Sequence, residues 1–172
     1  GMAALIGKDS NTIQNIINNN NLDIEIANDN SNIQIVISGN INEVKKSEKI
    51  FLENGIKKFV ILNVSAAFHS KYMLKAQKEL STEIENLNFK ENNIKIISNY
   101  DANDHNANSI IKKNLQNQMA NRVNWTQSIK RLENIGEKKI IEIGPNKVLS
   151  GLIRRISNNF DITSINSISD IK

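Results

Sequence analysis

Apolar residues recur along this chain with two different periods, and the points where the period changes mark out its elements. Residues 2–6, MAALI, form a short apolar run that reads as a strand. Asp9 or Ser10 can cap a helix whose apolar positions, Ile13, Ile16 and Ile17, share one face. The run NNNN ends it. Residues 22–27 alternate apolar and polar, as a half-buried strand does. DNSN at 29–32 reads as a turn, and IQIVIS at 33–38 as a further strand closed by Gly39. A second helix begins near Asn42, with Val44, Ser47 and Phe51 on one face and Lys45, Lys46 and Lys49 on the other. Gly55 stops it. KKFVILN at 57–63 is a fourth strand. The order β-α-β-β-α-β over residues 1–63 is the split-βαβ, ferredoxin-like pattern.

Beyond residue 63 the pattern changes. Residues 70–87 read as one long amphipathic helix with Met73, Ala76, Leu80, Ile84 and Leu87 as its stripe. IKIISN is a short strand, 103–108 a polar loop, and 110–119 and 126–134 two helices around NRVNW. KKIIEIG at 138–144 is a continuous apolar strand of the kind buried in a parallel sheet. NKVLSGLIRRI follows as a helix with Val148, Leu149, Leu152, Ile153 and Ile156 inward, and ITSINSI offers one edge strand. These pieces do not close a two-layer core by themselves, so the strand at 138–144 is expected to want neighbours that this chain does not hold. The fold class expected is therefore α/β (α+β), divided as 1–63 and 64–172.

Composition narrows the chemistry. The 172 residues are 39% hydrophobic and 23% charged, as in a globular protein. There is no cysteine, which removes disulfides, thiolate metal sites and a cysteine nucleophile. No apolar run approaches the roughly 18 residues that span a membrane, so no membrane partner is expected, and a cytoplasmic location (or an organellar matrix) is. Residues 1–7 have no basic n-region or h-region and read as a buried strand begun without a lead-in, which points to a piece of a longer protein. The net charge of +4 comes from dispersed lysines and needs no acidic partner. RNA binding is not expected, because MAALIG and IQIVIS lack the stacking aromatics that such sheets use.

Chemistry centres on VSAAFHS, which holds one of two histidines between a strand and a helix. A histidine base needs a nucleophile in reach and a third group to orient its ring. No Gly-x-Ser-x-Gly elbow occurs, so His69 is a base without its nucleophile, or else a structural residue. His105, in DANDHNANS, reads as surface. Two histidines without acidic or cysteine clusters make no metal site. GPNK is a weak phosphate cradle and more simply a strand-to-helix turn.

Five stretches, GMAALIG, NSNIQIVISG, VSAAFHS, QMANRVNWTQSI and EIGPNKVLSGLIRRI, resemble in order and spacing the C-terminal half of malonyl-CoA:acyl carrier protein transacylases. The resemblance covers essentially the whole chain. It implies a ferredoxin-like small subdomain plus the returning segment of an incomplete α/β-hydrolase-like acyltransferase subdomain. It implies ping-pong malonyl transfer from malonyl-CoA to the phosphopantetheine thiol of acyl carrier protein in fatty acid biosynthesis, through a malonyl-serine, with no cofactor. His69 matches the general base, and Gln118 the position whose carbonyl orients it. Phe68, Asn30 and Gln34 match substrate contacts. The elbow serine and the malonyl-pairing arginine belong to a missing N-terminal half, so the chain alone is expected to be inactive. Asn146 stands at a common glycine, and Ala67 and Arg122 at common prolines, which is expected to loosen turns. A non-enzymatic alternative is a stand-alone ferredoxin-like protein-interaction module.

Overall fold

The computed structural model describes residues 1–91 and 93–171. Strand β1 (Met2–Ile6) leads through helix α1 (Ser10–Asn19) to β2 (Ile24–Ser31) and β3 (Gln34–Gly39). Helix α2 (Ile41–Glu53) and β4 (Lys58–Ile61) follow. The four strands form one antiparallel sheet in the order β2-β3-β1-β4.

Local chemistry sets the helix starts. The Asp9 carboxylate accepts from Thr12 N at 2.8 Å, and the Asn40 side chain accepts from Asn42 N at 2.9 Å, so each helix has a donor satisfied before its first turn. Strand alternation then sends side chains to two faces. Ala3, Leu5, Ile35 and Ile37 pack with Ile13, Ile16, Ile17, Val44 and Phe51 of the helices. Met2, Val36 and Ala27 face the other way. β2 runs to Ser31, so the expected four-residue turn shrinks to Asn32 and Ile33. Register shifts at 26–28 and 29–31 let the polar stretch continue as strand rather than turn.

The second segment opens with a 3-10 turn at Lys71–Met73 before α3 (Leu74–Glu85). The helix expected over 70–87 is therefore shorter, and of its stripe only Ile84 is buried. A two-stranded ribbon, β5 (Ile96–Ile97) with β6 (Asp104–His105), lies where the sequence read a strand and a polar loop. Helices α4 (Asn108–Asn117) and α5 (Trp125–Asn134) precede β7 (Lys139–Ile143), α6 (Val148–Ile156) and β8 (Asp161–Ile165). A closing 3-10 turn spans Ile168–Asp170.

β7 does find one neighbour in this chain: β8 pairs with it in parallel along its whole length. Among the described residues its other edge has no strand partner. Ile141 and Ile143 are 60% and 80% exposed. Val148 and Leu149, expected inward, are exposed as well, because α6 buries only Ser150, Leu152 and Ile153. The first sheet is thus closed over its core, and the second is half of a layer.

Truncating Phe51 to alanine should cost about 3–5 kcal/mol, the usual loss for a fully buried aromatic. Ile143→Ser should change stability by no more than about 0.5 kcal/mol in this chain. Urea unfolding of the two variants against the parent checks both, and a large loss from Ile143→Ser would mean that its face is covered.

Candidate active site

The loop after β4 is folded tightly around His69. Ser70, fully buried, donates from Oγ to Ala67 O at 2.6 Å. Met73 N bonds Ser70 O at 2.9 Å and starts the next turn. His69 itself has φ of 58°. A non-glycine residue in the left-handed region costs on the order of 1–3 kcal/mol and persists only where its surroundings hold it. Here they do: His69 N donates to Met119 O at 3.0 Å.

The ring is held from the same loop. His69 Nδ1 lies 2.9 Å from Gln118 O and 3.0 Å from Asn121 O. Carbonyl oxygens only accept, so the shared proton sits on Nδ1. The neutral ring then keeps Nε2 unprotonated and free to take a proton. Gln118 acts through its main chain, not its amide, and Asn121, which sequence reading missed, contributes equally. A main-chain contact carries no residue-type signal, so only the spacing could have found it.

The loop that supplies these carbonyls is pinned at both ends. Ala120 N donates to Gln77 Oε1 of α3 at 2.8 Å. At the other end Val123 N donates to Ala27 O at 2.8 Å, and Asp29 N donates to Val123 O at 2.9 Å. Val123 thus adds to the β2 edge as a single residue of strand. Arg122, expected to loosen this turn, instead bonds Asp29 Oδ2 at 2.5 Å. Thr126 Oγ1 donates to Asp29 Oδ1 at 2.8 Å. β2 also holds the His69 side of the site, since Lys71 N donates to the Glu25 carboxylate, and Lys71 Nζ pairs with Asp23 just before the strand.

The remaining sequence-derived positions separate. Phe68, beside His69 in the chain, is 37% exposed. Asn30 lies on β2 just past the Val123 pairing, and the Gln34 amide oxygen accepts from Arg155 of α6. Among the described residues no hydrogen bond joins Phe68, Asn30 or Gln34 to His69. No group of three or more His, Cys, Asp or Glu residues among them could hold a metal ion.

His105 is less plain than its sequence context implied. Its Nε2 is 2.7 Å from Asp101 Oδ2, which also accepts from Asn114. Burial raises the Asp101 carboxyl, but bonds from Asn103 N, Asn114 and His105 outweigh it and hold the group below its ordinary value. Asp104 beside it is bonded by Lys95 and Arg131, which bring its carboxyl down to about 2.

The GPNK turn also resolves. Asn146 has φ of 72°, the conformation that glycine adopts freely and asparagine tolerates best. Leu149 N and Ser150 N, free donors at the start of α6, both donate to Glu142 of β7. An internal carboxylate already occupies the position where a phosphate would sit. The Ser150 hydroxyl bond, outweighing burial, holds the Glu142 carboxyl below its ordinary value.

No protein-family model matches the chain. It is 42% identical over 161 residues to the polyketide biosynthesis protein PksE of Bacillus subtilis, covering 92% of this chain and 21% of that protein. It is 37% identical over 161 residues to the polyketide biosynthesis malonyl CoA-acyl carrier protein transacylase PksC of the same organism, covering 92% and 56%. A crystal structure of an acyl-carrier-protein S-malonyltransferase from Burkholderia pseudomallei superposes with a TM-score of 0.93 at 31% identity, covering 99% and 56%. This chain is similar to about half of a malonyl CoA-acyl carrier protein transacylase. The mixed α/β arrangement is that of the malonyltransferase fold, and the chain spans about half the length of the transacylases it matches. The second and third of these proteins are acyltransferases by name. Among the described residues no helix is long and apolar enough to cross a membrane.

The ionic knot at Asp104 predicts an acid limb of stability. Its folded-state value, about 2, lies below the ordinary 3.8. Its contribution is therefore complete above about pH 5, declines as pH falls, and is gone by about pH 1. Urea midpoints between pH 2 and pH 6 should show Asp104→Asn less stable than the parent at pH 6, with the gap closing toward pH 2. A gap that stays constant with pH would contradict the assignment.

Proposed function

We propose that this chain is the C-terminal portion of a malonyl-CoA:acyl carrier protein transacylase and supplies its general base, His69. The observation that carries the reading is the doubly held Nδ1–H, which leaves Nε2 as the free acceptor. Residues 1–63 form the ferredoxin-like unit, and residues 64–172 contribute part of the acyltransferase unit. The nucleophilic serine comes from a segment outside this sequence. The open edge of β7, with Ile141 and Ile143 exposed, and the apolar groove of Ile143, Pro145, Ile165, Ile168 and Ile171 are where that segment packs.

In this mechanism Nε2 takes the proton of the serine hydroxyl as its oxygen attacks the thioester carbonyl of malonyl-CoA. The C–S bond breaks, and the CoA thiolate leaves with that proton. The pantetheine thiol of acyl carrier protein then gives its proton to Nε2 and attacks the malonyl ester, and the serine oxygen departs reprotonated. The Gln118 and Asn121 carbonyls steady the imidazolium that forms in each half, as a carboxylate does in a catalytic triad. Phe68, Asn30 and Gln34 border the acyl group. Malonyl-CoA and the carrier protein are the partners, no cofactor takes part, and the enzyme serves fatty acid or polyketide synthesis in the cytoplasm.

Purified alone, the chain should give no malonyl transfer. Joined to the serine-bearing half of a matched transacylase, it should transfer malonyl to a phosphopantetheinylated carrier protein. His69→Ala in that joined enzyme should lower the rate by about 10²–10⁴-fold. Transfer by the isolated chain, or a joined enzyme indifferent to His69→Ala, would contradict the proposal and favour an interaction module.

A further inference from the structure

We propose that Asp29 and Arg122 are positioning residues for the His69 ring, acting through the loop that carries its two carbonyl acceptors. The catalytic meaning of this rests on His69 being the base; the geometry does not. Asp29 is 4% exposed on the β2 edge. It receives Arg122 on one carboxylate oxygen and Thr126 on the other, and its main-chain oxygen also accepts from Thr126 Oγ1 at 3.1 Å. Its own N–H reaches Val123.

The link to the ring is covalent and short. The Asn121 carbonyl that accepts from Nδ1 shares a rigid peptide plane with Arg122 N. Fixing Arg122 through its guanidinium and Val123 through its backbone therefore fixes the direction of that carbonyl. Arg122 makes this contact although its Nε is buried without an acceptor among the described residues. A side chain serving only solubility would turn that nitrogen to water. Releasing the pair frees the Asn121 carbonyl to swing. Nδ1 then keeps one acceptor of two, and the preference for its protonated form weakens.

The chain has two histidines, so nitrogen-resolved NMR of the imidazoles reads each ring separately. His105 is the internal reference, since its partner is Asp101 rather than this loop. In the parent, the His69 ring at a pH where it is neutral should show one tautomer, with Nδ1 protonated and the two nitrogen shifts far apart. Arg122→Gln is the deciding variant, because its side chain is one-third exposed and its loss opens no core. It should draw the two His69 shifts toward each other while His105 stays put, and Asp29→Asn should do the same. Leu152→Ala, a destabilising change on α6 that touches neither Asp29 nor Arg122 by hydrogen bond, should leave both rings unmoved. His69 nitrogens that are unchanged in Arg122→Gln, or equally changed in Leu152→Ala, would overturn the proposal. Because activity is not the readout, a chain without any transacylase role would still give a clear answer here.

Discussion

Two hydrogen bonds between the β2 edge and Val123 hold the arrangement together. Ala27 O and Asp29 N take Val123 as if it were a fifth strand one residue long. They join a closed, well-packed sheet to a segment that buries few of its apolar residues by itself. Everything at His69 is built from that joint. The loop arriving at Val123 brings three main-chain acceptors to the histidine: Gln118 O and Asn121 O to its ring and Met119 O to its backbone. The same strand reaches the residue after Ser70 through Glu25, and Asp23, just before the strand, pairs with that residue too. β2 is therefore a post to which both halves of the site are tied.

This construction explains how main-chain oxygens come to orient the His69 ring. A carboxylate would need its own desolvated position and its own partners. Peptide carbonyls carry partial charge at fixed positions and cost nothing further once the loop is folded. The left-handed conformation at His69 belongs to the same design. Its strain is tolerated because the backbone bond to Met119 and the turn at Ser70 leave the loop no easier path.

Much of the fold was legible because alternation and helical spacing are read directly from side-chain type. The β-α-β-β-α-β order, the faces of α1 and α2 and the strand at 138–144 all follow from where Ile, Val and Phe recur. Three features were not legible, each for a physical reason. β2 runs on through Asn28, Asp29, Asn30 and Ser31, because edge pairing and bulges override their preference for turns. The parallel β7–β8 pair joins residues far apart in sequence, and local pattern carries no pairing partner. Val148 and Leu149 had the spacing of buried residues, yet nothing described in this chain covers them. At the site, His69 stood out by its place in a strand-to-helix loop, and the resemblance added its expected role and named Gln118. Asn121, Asp29 and Arg122 were not legible as site residues, because one acts through its backbone and the others form a pair 93 residues apart.

The joint itself can be measured by native-state amide hydrogen exchange. The amides of Val123 and Asp29 are the two donors across it. If β2 is the post for the site, both should exchange as slowly as the hydrogen-bonded amides of β1 and β3, opening only when the sheet does. Val123 and Asp29 amides that exchange at the rate of an exposed loop, while β1 and β3 stay protected, would contradict this account.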